Sequence, residues 1–285
     1  MTGVQTCALP IYHQTHYRYQ APASYSLQSL LLWPRTDGGQ RIHHWRIEVP
    51  GRRWVQQDAY GNTMHISSLT DKHHEIDVIA GGQVETSHER GSYIPHESRV
   101  PAMVFSQTTA LTMADDAMKD LAYRVLGDAD STALCHQSTL EHLCAEVHNA
   151  ITYTQGVTDV TATAANVFSN GHGVCQDMTH VFLGLCRARG ISARYVSGYL
   201  LTDAAHAASH AWAEVWMPDA LHGQGGWLGF DVTHNRLAGP ELCRLAVGRD
   251  YADTCPMRGM HMGGVGESMQ VQVAVHDGRH ALMDQ

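Results

Sequence analysis

The chain has 285 residues, 44% of them hydrophobic, with 19 Lys and Arg against 28 Asp and Glu and a formal net charge of −9. That size and apolar fraction allow two small domains with buried cores, whereas the negative balance and the lack of a Lys/Arg cluster argue against nucleic acid as the partner. No apolar run approaches the roughly 20 residues that span a bilayer, and the seven cysteines, with no CxxC pair among them, point to reduced thiols and a cytoplasmic setting.

Residues 1–11, MTGVQTCALPI, match the conceptual translation of a sequencing-library adapter. They are read as an assembly artefact outside the first domain, and Cys7 is set aside with them. Residues 12–100 read as short strands with turn signals: Trp45, Ile47 and Val49 alternate with Arg46 and Glu48, and Ile76, Val78 and Ala80 alternate with Glu75 and Asp77. Gly81-Gly82 predicts a hairpin turn. A domain boundary falls near Pro95 to Pro101, and the second domain, 101–285, opens with helices. Met118, Leu121, Ala122, Val125 and Leu126 form one stripe. Leu140, Leu143, Cys144, Val147 and Ile151 form another, opened by a capping-box signal from Ser138 to Glu141.

Gly173-Val174-Cys175-Gln176-Asp177-Met178-Thr179-His180 carries the strongest chemical signal. Met178, Val181, Phe182, Leu185 and Cys186 recur at helical spacing, so one face of a helix packs on a core until Gly190 stops it. Gly171 and Gly173 place Cys175 at the first turn, where free backbone N–H groups and the helix dipole favour a thiolate. Asp177, in the same turn, is positioned to cap backbone donors.

Strands are expected at 193–200, 209–216 and 226–232. His210 opens the second and Asp231 closes the third, and the Pro- and Gly-containing stretch 217–225 makes the two a hairpin. A thiol, an imidazole to take its proton and a carboxylate to orient the imidazole are the parts of an activated-nucleophile site. A last alternating strand through Met269, Val271, Val273 and Val275 completes a sheet, and helices followed by strands give an α+β core. The Gly-rich segment 259–266 lacks the Gly-Lys-Ser/Thr ending of a phosphate loop and is read as a mobile loop near the site.

Twenty-one histidines raise the question of a metal. His206 and His210 are four apart, but Ala207-Ala208-Ser209 lacks the Glu of a zinc-protease helix. His43-His44 and His73-His74 are adjacent pairs whose side chains point to opposite faces of a strand. No metal site is assigned, and the histidines are read as surface groups apart from His210. Trp212, Trp216 and Trp227 either wall a substrate groove or belong to the core; Trp212 and Trp227 are carried with Asp177 as support for the site.

GVCQDMTH (173–180), ARGISARYVSGYL (188–200), SHAWAEVW (209–216), GWLGFDVTHN (226–235) and GRDYADTCPMRGMHMGG (248–264) together resemble the transglutaminase-like superfamily, the papain-like clan of cysteine acyltransferases and peptidases, in its bacterial branch. HQTHYRYQAPASYSLQSLLLWPR (13–35) and the turn Asp58-Ala59-Tyr60-Gly61-Asn62 are similar to the β-sandwich domain that precedes the core in that branch. The resemblance implies an α+β protein, an N-terminal β-sandwich followed by a papain-like core. It implies the nucleophile at Cys175, the general base at His210 and the orienting carboxylate at Asp231. His172, Met178 and Val232 stand where the family usually has Arg, an aromatic residue and Pro.

The expected reaction is acyl transfer through a thioester on a peptide or carboxamide, with the backbone N–H of Cys175 holding part of the oxyanion and with no cofactor. A peptide or protein is the expected partner. Water as acceptor makes the protein a peptidase or amidase, and this is favoured; an amine acceptor makes it a protein-glutamine γ-glutamyltransferase. A peptide-binding or assembly module with a vestigial core is the non-enzymatic alternative.

Overall fold

The computed structural model describes residues 7–127, 136–202 and 209–277. The chain opens with a single long strand, β1 (Cys7–Leu30), followed by β2 (Gln40–Glu48), β3 (Arg52–Gln57), β4 (Thr63–Leu69), β5 (His73–Thr86) and the short β6 (Tyr93–Ile94). Every second residue of β1 from Cys7 to Tyr19 is buried, and after an irregularity at Ala23 the phase flips, so that Ser26, Gln28 and Leu30 point inward. This is the period-2 geometry of a strand with one face on a core.

The helical half follows as α1 (Asp116–Leu126), α2 (Gln137–Ala150), β7 (Thr152–Tyr153), α3 (Ala164–Asn170), β8 (His172–Gly173) and α4 (Cys175–Ala188). Then come β9 (Ala193–Leu200), β10 (Ser209–Met217), the one-turn α5 (Ala220–Gly223), β11 (Gly226–Asp231), β12 (Arg236–Leu237), β13 (Leu242–Gly248) and the one-turn α6 (Tyr251–Thr254). Two strands end the described chain, β14 (Met257–Gly263) and β15 (Ser268–Val275). Strands β12-β11-β10-β9-β13 form one antiparallel sheet, with β6 added to β11. Helix α4 lies against this sheet, and Val181, Phe182 and Leu185 pack with Ala211, Ala213, Val215, Leu228 and Phe230, enclosed by α1 and α2 through Met118, Leu121, Leu140 and Leu143. The expected stripe is buried, and so is the rest of the helix from Asp177 to Arg187, because helices cover the side turned away from the sheet.

The largely β N-terminal region is a seven-stranded antiparallel sheet centred on β1. β5 and β4 continue one another along one edge of β1, while β15 and β14 do so along the other. The C-terminal strand therefore completes the N-terminal sheet, although it lies in the stretch 101–285 that the sequence assigns to the second domain. The inner face of the N-terminal sheet packs onto Tyr199, Cys243 and Leu245 of the core sheet. Polar side chains cross the same boundary. Asn62 donates to Val247 O and accepts from Val247 N and Arg35, at 2.7–2.9 Å, and Asp58 in turn holds the Asn62 amide at 2.8 Å. The Asp58–Asn62 turn is thus a clasp between the two halves of the molecule.

Several sequence expectations change at this level. Residues 7–11, set apart as foreign to the domain, are strand: Cys7, Leu9 and Ile11 point inward and pair with Thr86, Val84 and Gly82 of β5. Gly81-Gly82 is no turn but the interior of β5, where the neighbouring backbones come so close that a Cβ would meet Ile11 O at 2.8 Å or His44 O at 2.1 Å. Ser138 does not cap α2, which starts at Gln137, two residues earlier than that cap requires, with His136 before it, and Gln137 donates to Glu141 at 2.8 Å. Most of the Gly-rich segment is strand β14, paired along Ala23 to Leu30 of β1. No described helix is long and apolar enough to cross a membrane.

Candidate active site

The approach to Cys175 is set by backbone constraints. Helix α3 ends at Gly171, whose left-handed conformation lets its N–H bond back to Val167 O. His172 and Gly173 then pair in parallel with Thr152 and Tyr153. A Cβ at Gly173 would stand 2.8 Å from Asp177 Cβ, so the chain can approach the helix start only through glycine. Asp177 Oδ2 accepts from Val174 N at 2.8 Å and from Thr158 Oγ1 at 2.7 Å. It is fully buried, and burial raises its pKa against those bonds. The expected capping role fits this geometry, and Cys175 becomes the first residue of α4, half-buried, with its N–H unused by the helix.

His210 stands at the start of β10, opposite Gly198 of β9. Its Nε2 and Asp231 Oδ1 are 2.8 Å apart, which leaves Nδ1 as the ring nitrogen for Cys175. Burial opposes a charge on this imidazole, but the hydrogen bonds with Asp231 and Cys175 outweigh it and bring the pKa up to about 9. Asp231 is completely buried at the end of β11. Burial alone would favour its neutral form; the hydrogen bonds from His210 and His234, and their charge, hold it far below the usual carboxylate range. The fold therefore brings Cys175, His210 and Asp231 into one chain of contacts across α4, β10 and β11.

Two further residues hold Asp231. His234 Nδ1 lies 2.8 Å and Arg236 Nε 3.1 Å from Oδ2, so each carboxylate oxygen has its own donors. His234 falls within the motif 226–235 with no role evident from its pattern, and its i+3 spacing from Asp231 in a short turn is the local signal for this contact. His180 is another residue with no role evident from its pattern. It is buried in α4, accepts from Tyr251 N at 3.1 Å, and is held neutral, its pKa pushed down to about 3 by burial and by Arg187.

A cavity of about 290 Å³ opens on Cys175 and His210. Its walls come from both halves of the molecule: His13, Thr15 and Tyr17 of β1, Tyr195 and Ser197 of β9, Tyr251 and Cys255 beside α6, and Met257, Met269 and Val271 of β14 and β15. Trp212 and Trp227 are absent from this lining. Trp212 is buried, its ring stacked near His210 at 6.1 Å, so it can support the imidazole but cannot wall a groove. Trp227 packs with Ile94 and Phe105 and lies 4.2 Å from the Arg194 guanidinium, remote from the thiol. A period-2 pattern gives the face of each tryptophan but not what covers it.

His210, Asp231 and His234 also form a group whose possible metal-ligating atoms lie within 4.8 Å of one another. The donor set is poor for a cation, since both carboxylate oxygens already accept hydrogen bonds and the Arg236 guanidinium adds a positive charge 3.1 Å away. The His206 half of the spaced histidine pair, and Cys135, lie outside the described residues.

Comparison with known proteins agrees with this architecture. Residues 119–232 match the transglutaminase-like superfamily core, and residues 9–85 match the bacterial transglutaminase-like N-terminal region. An uncharacterized protein of Mycobacterium tuberculosis is 30% identical over 270 residues, covering 87% of this chain and 85% of its own. An uncharacterized protein of Mycobacterium leprae is 28% identical over 281 residues, 93% and 97% of the two chains. The crystal structure of a candidate cysteine protease from Cytophaga hutchinsonii superposes with a TM-score of 0.73 at 20% identity, covering 96% of this chain and 92% of that one, a likeness of fold.

Proposed function

The chain belongs to the transglutaminase-like superfamily, with the bacterial N-terminal region, and from that premise we propose that it is a cysteine enzyme that cleaves a peptide or carboxamide bond through a thioester. The observation that carries the proposal is the contact chain Cys175, His210 and Asp231, with the imidazole bonded to a buried carboxylate at 2.8 Å. The Cys175 proton passes to His210 Nδ1 and the sulfur attacks the substrate carbonyl carbon. The Cys175 N–H, free at the start of α4, is placed to donate to the developing oxyanion. Collapse of the tetrahedral intermediate breaks the C–N bond, the imidazolium gives its proton to the leaving amine, and the acyl group remains on sulfur. Asp231 holds the ring in the tautomer with Nε2–H throughout.

Water then attacks the thioester, with His210 taking one of its protons and returning it to the departing sulfur, and the products are an acid and an amine. Hydrolysis is favoured over transamidation because Cys175, half-buried, faces a cavity that opens to solvent and water is the most abundant acceptor. Cys144, Cys175, Cys243 and Cys255 are free thiols, in keeping with a proposed cytoplasmic setting. Limiting iodoacetamide at pH 6 to 7, with sites mapped by mass spectrometry, tests the nucleophile: Cys175 labels ahead of Cys255 and slows in His210→Ala. A peptide-amide panel incubated with and without a primary amine then separates hydrolysis from amine transfer, and a chelator that abolished turnover would favour the metal reading of the His210 group instead.

A further inference from the structure

Resting on the reading of Cys175 as the nucleophile, we propose that the cavity between the N-terminal sheet and the core is a pocket for one uncharged apolar or aromatic side chain on the acyl side of the bond that is cleaved. Its size is the first argument. At about 290 Å³ it sits at the small end of ligand pockets, roughly 300–1,000 Å³, enough for one large side chain with its backbone and too small for a folded segment.

The lining chemistry is the second argument. Among the described residues around the cavity there is no Asp, Glu, Lys or Arg. The histidine that β1 contributes, His13, is uncharged near neutral pH: burial lowers its pKa to about 4, and its ring nitrogens are occupied by Tyr199 Oη at 2.8 Å and Thr15 Oγ1 at 3.0 Å. The other histidine of the lining, His210, carries charge but is already paired with Asp231 at 2.8 Å and with Cys175, so a charged side chain entering here would lose water and find no unengaged ion partner. Tyr17, Tyr195, Met257 and Val271 offer apolar and aromatic surface, and the methionine can adapt to ligands of different shape.

The third argument is position. The cavity ends on Cys175 and His210, so whatever fills it is held beside the sulfur. The acyl part stays bonded to that sulfur while the amine departs and water enters, and it is therefore the part that gains from a seat beside the sulfur. Val271 and Met269, each about half-exposed on β15, form the rim by which an extended peptide enters. The C-terminal strands would thus set specificity, a role that explains why they are joined to β1 beside the site.

The test uses the full chain and four N-acyl dipeptidyl chloromethyl ketones with the same warhead, bearing Phe, Leu, Lys or Glu next to the ketone. The second-order rate of labelling at Cys175 is mapped by mass spectrometry and divided by the rate with iodoacetamide. The Phe and Leu reagents are expected to exceed the Lys and Glu reagents by roughly tenfold or more, and Val271→Glu to move the preference toward Lys. A flat profile with a fast iodoacetamide reaction, or a Val271→Glu profile identical to wild type, overturns the pocket while leaving the nucleophile standing. Failure of every reagent to label Cys175 ahead of Cys255 removes the nucleophile and the pocket with it.

Discussion

Asp231→Asn removes a charge at the base of the site and nearly preserves its shape. In the wild type, burial disfavours charged His210, and the bonds with Asp231 and Cys175 overcome it to hold the imidazole at about 9. An asparagine can keep one hydrogen bond but cannot balance an imidazolium, so the ring falls from about 9 toward its ordinary value near 6.5, by that full difference at most because the bond with Cys175 remains. That difference of roughly 2.5 pKa units corresponds to about 3 kcal/mol, or roughly a few hundredfold in the equilibrium that moves the thiol proton onto His210. Cys175 alkylation by limiting iodoacetamide at pH 7 reads this equilibrium. The rate should fall between about tenfold and a few hundredfold, with a far-UV circular dichroism spectrum like wild type. A folded Asp231→Asn protein that alkylates at the wild-type rate refutes the argument that Asp231 sets the state of His210.

Other outcomes follow from the same structure. The folded pKa of His210 lies above its unfolded value, so its contribution to stability is complete below about pH 6.5 and is lost as pH rises through about 9. The urea midpoint should fall from pH 7 to 9.5, and less so in Asp231→Asn. His13 and His180 have the opposite sign: burial holds them neutral, at about 4 and about 3, and the unfolded chain takes up protons first as pH falls below about 6.5. Several kcal/mol should therefore be lost between pH 6.5 and 4, and His13→Gln should flatten part of that slope; a midpoint constant over this range counts against the two buried neutral rings. Gly173→Ala places a Cβ 2.8 Å from Asp177 Cβ and should cost about 1–3 kcal/mol while slowing Cys175 alkylation, both measurable on one preparation. Asn62→Ala strands Val247 and Arg35; a loss of about 2 kcal/mol or more in urea unfolding is expected, and a loss under 0.5 kcal/mol means the clasp does not hold the halves together.

The three residues of the contact chain were legible because each lies at a boundary written locally. Glycines and an apolar stripe mark the start of α4 at Cys175, and period-2 alternation marks the strands that His210 opens and Asp231 closes. The stripes of α1 and α2 were equally plain, since a residue's turn about a helix depends only on the residues beside it. Two readings change at a common point. Gly81-Gly82 looked like a turn because glycine is a turn residue, yet these glycines answer to backbones from β1 and β2 that arrive from far along the chain. Residues 7–11 were dismissed on their resemblance to a foreign sequence, although Cys7, Leu9 and Ile11 carry the inward pattern that pairing with β5 requires. Of the two alternatives for the tryptophans, groove wall and core, Trp212 and Trp227 take the core.

The sequence alone determined the core helices, the strands that carry His210 and Asp231, and the order of thiol, imidazole and carboxylate, because period, caps and breakers act over a few residues. Only the tertiary structure decided that β14 and β15 close the N-terminal sheet, that His234 and Arg236 converge on Asp231, and that strands from both ends of the chain wall the cavity over Cys175. Strand pairing is backbone hydrogen bonding that any strand edge can offer, so local composition cannot name the partner. That choice belongs to the packing of the whole chain, which brings β1 alongside a segment more than 200 residues away.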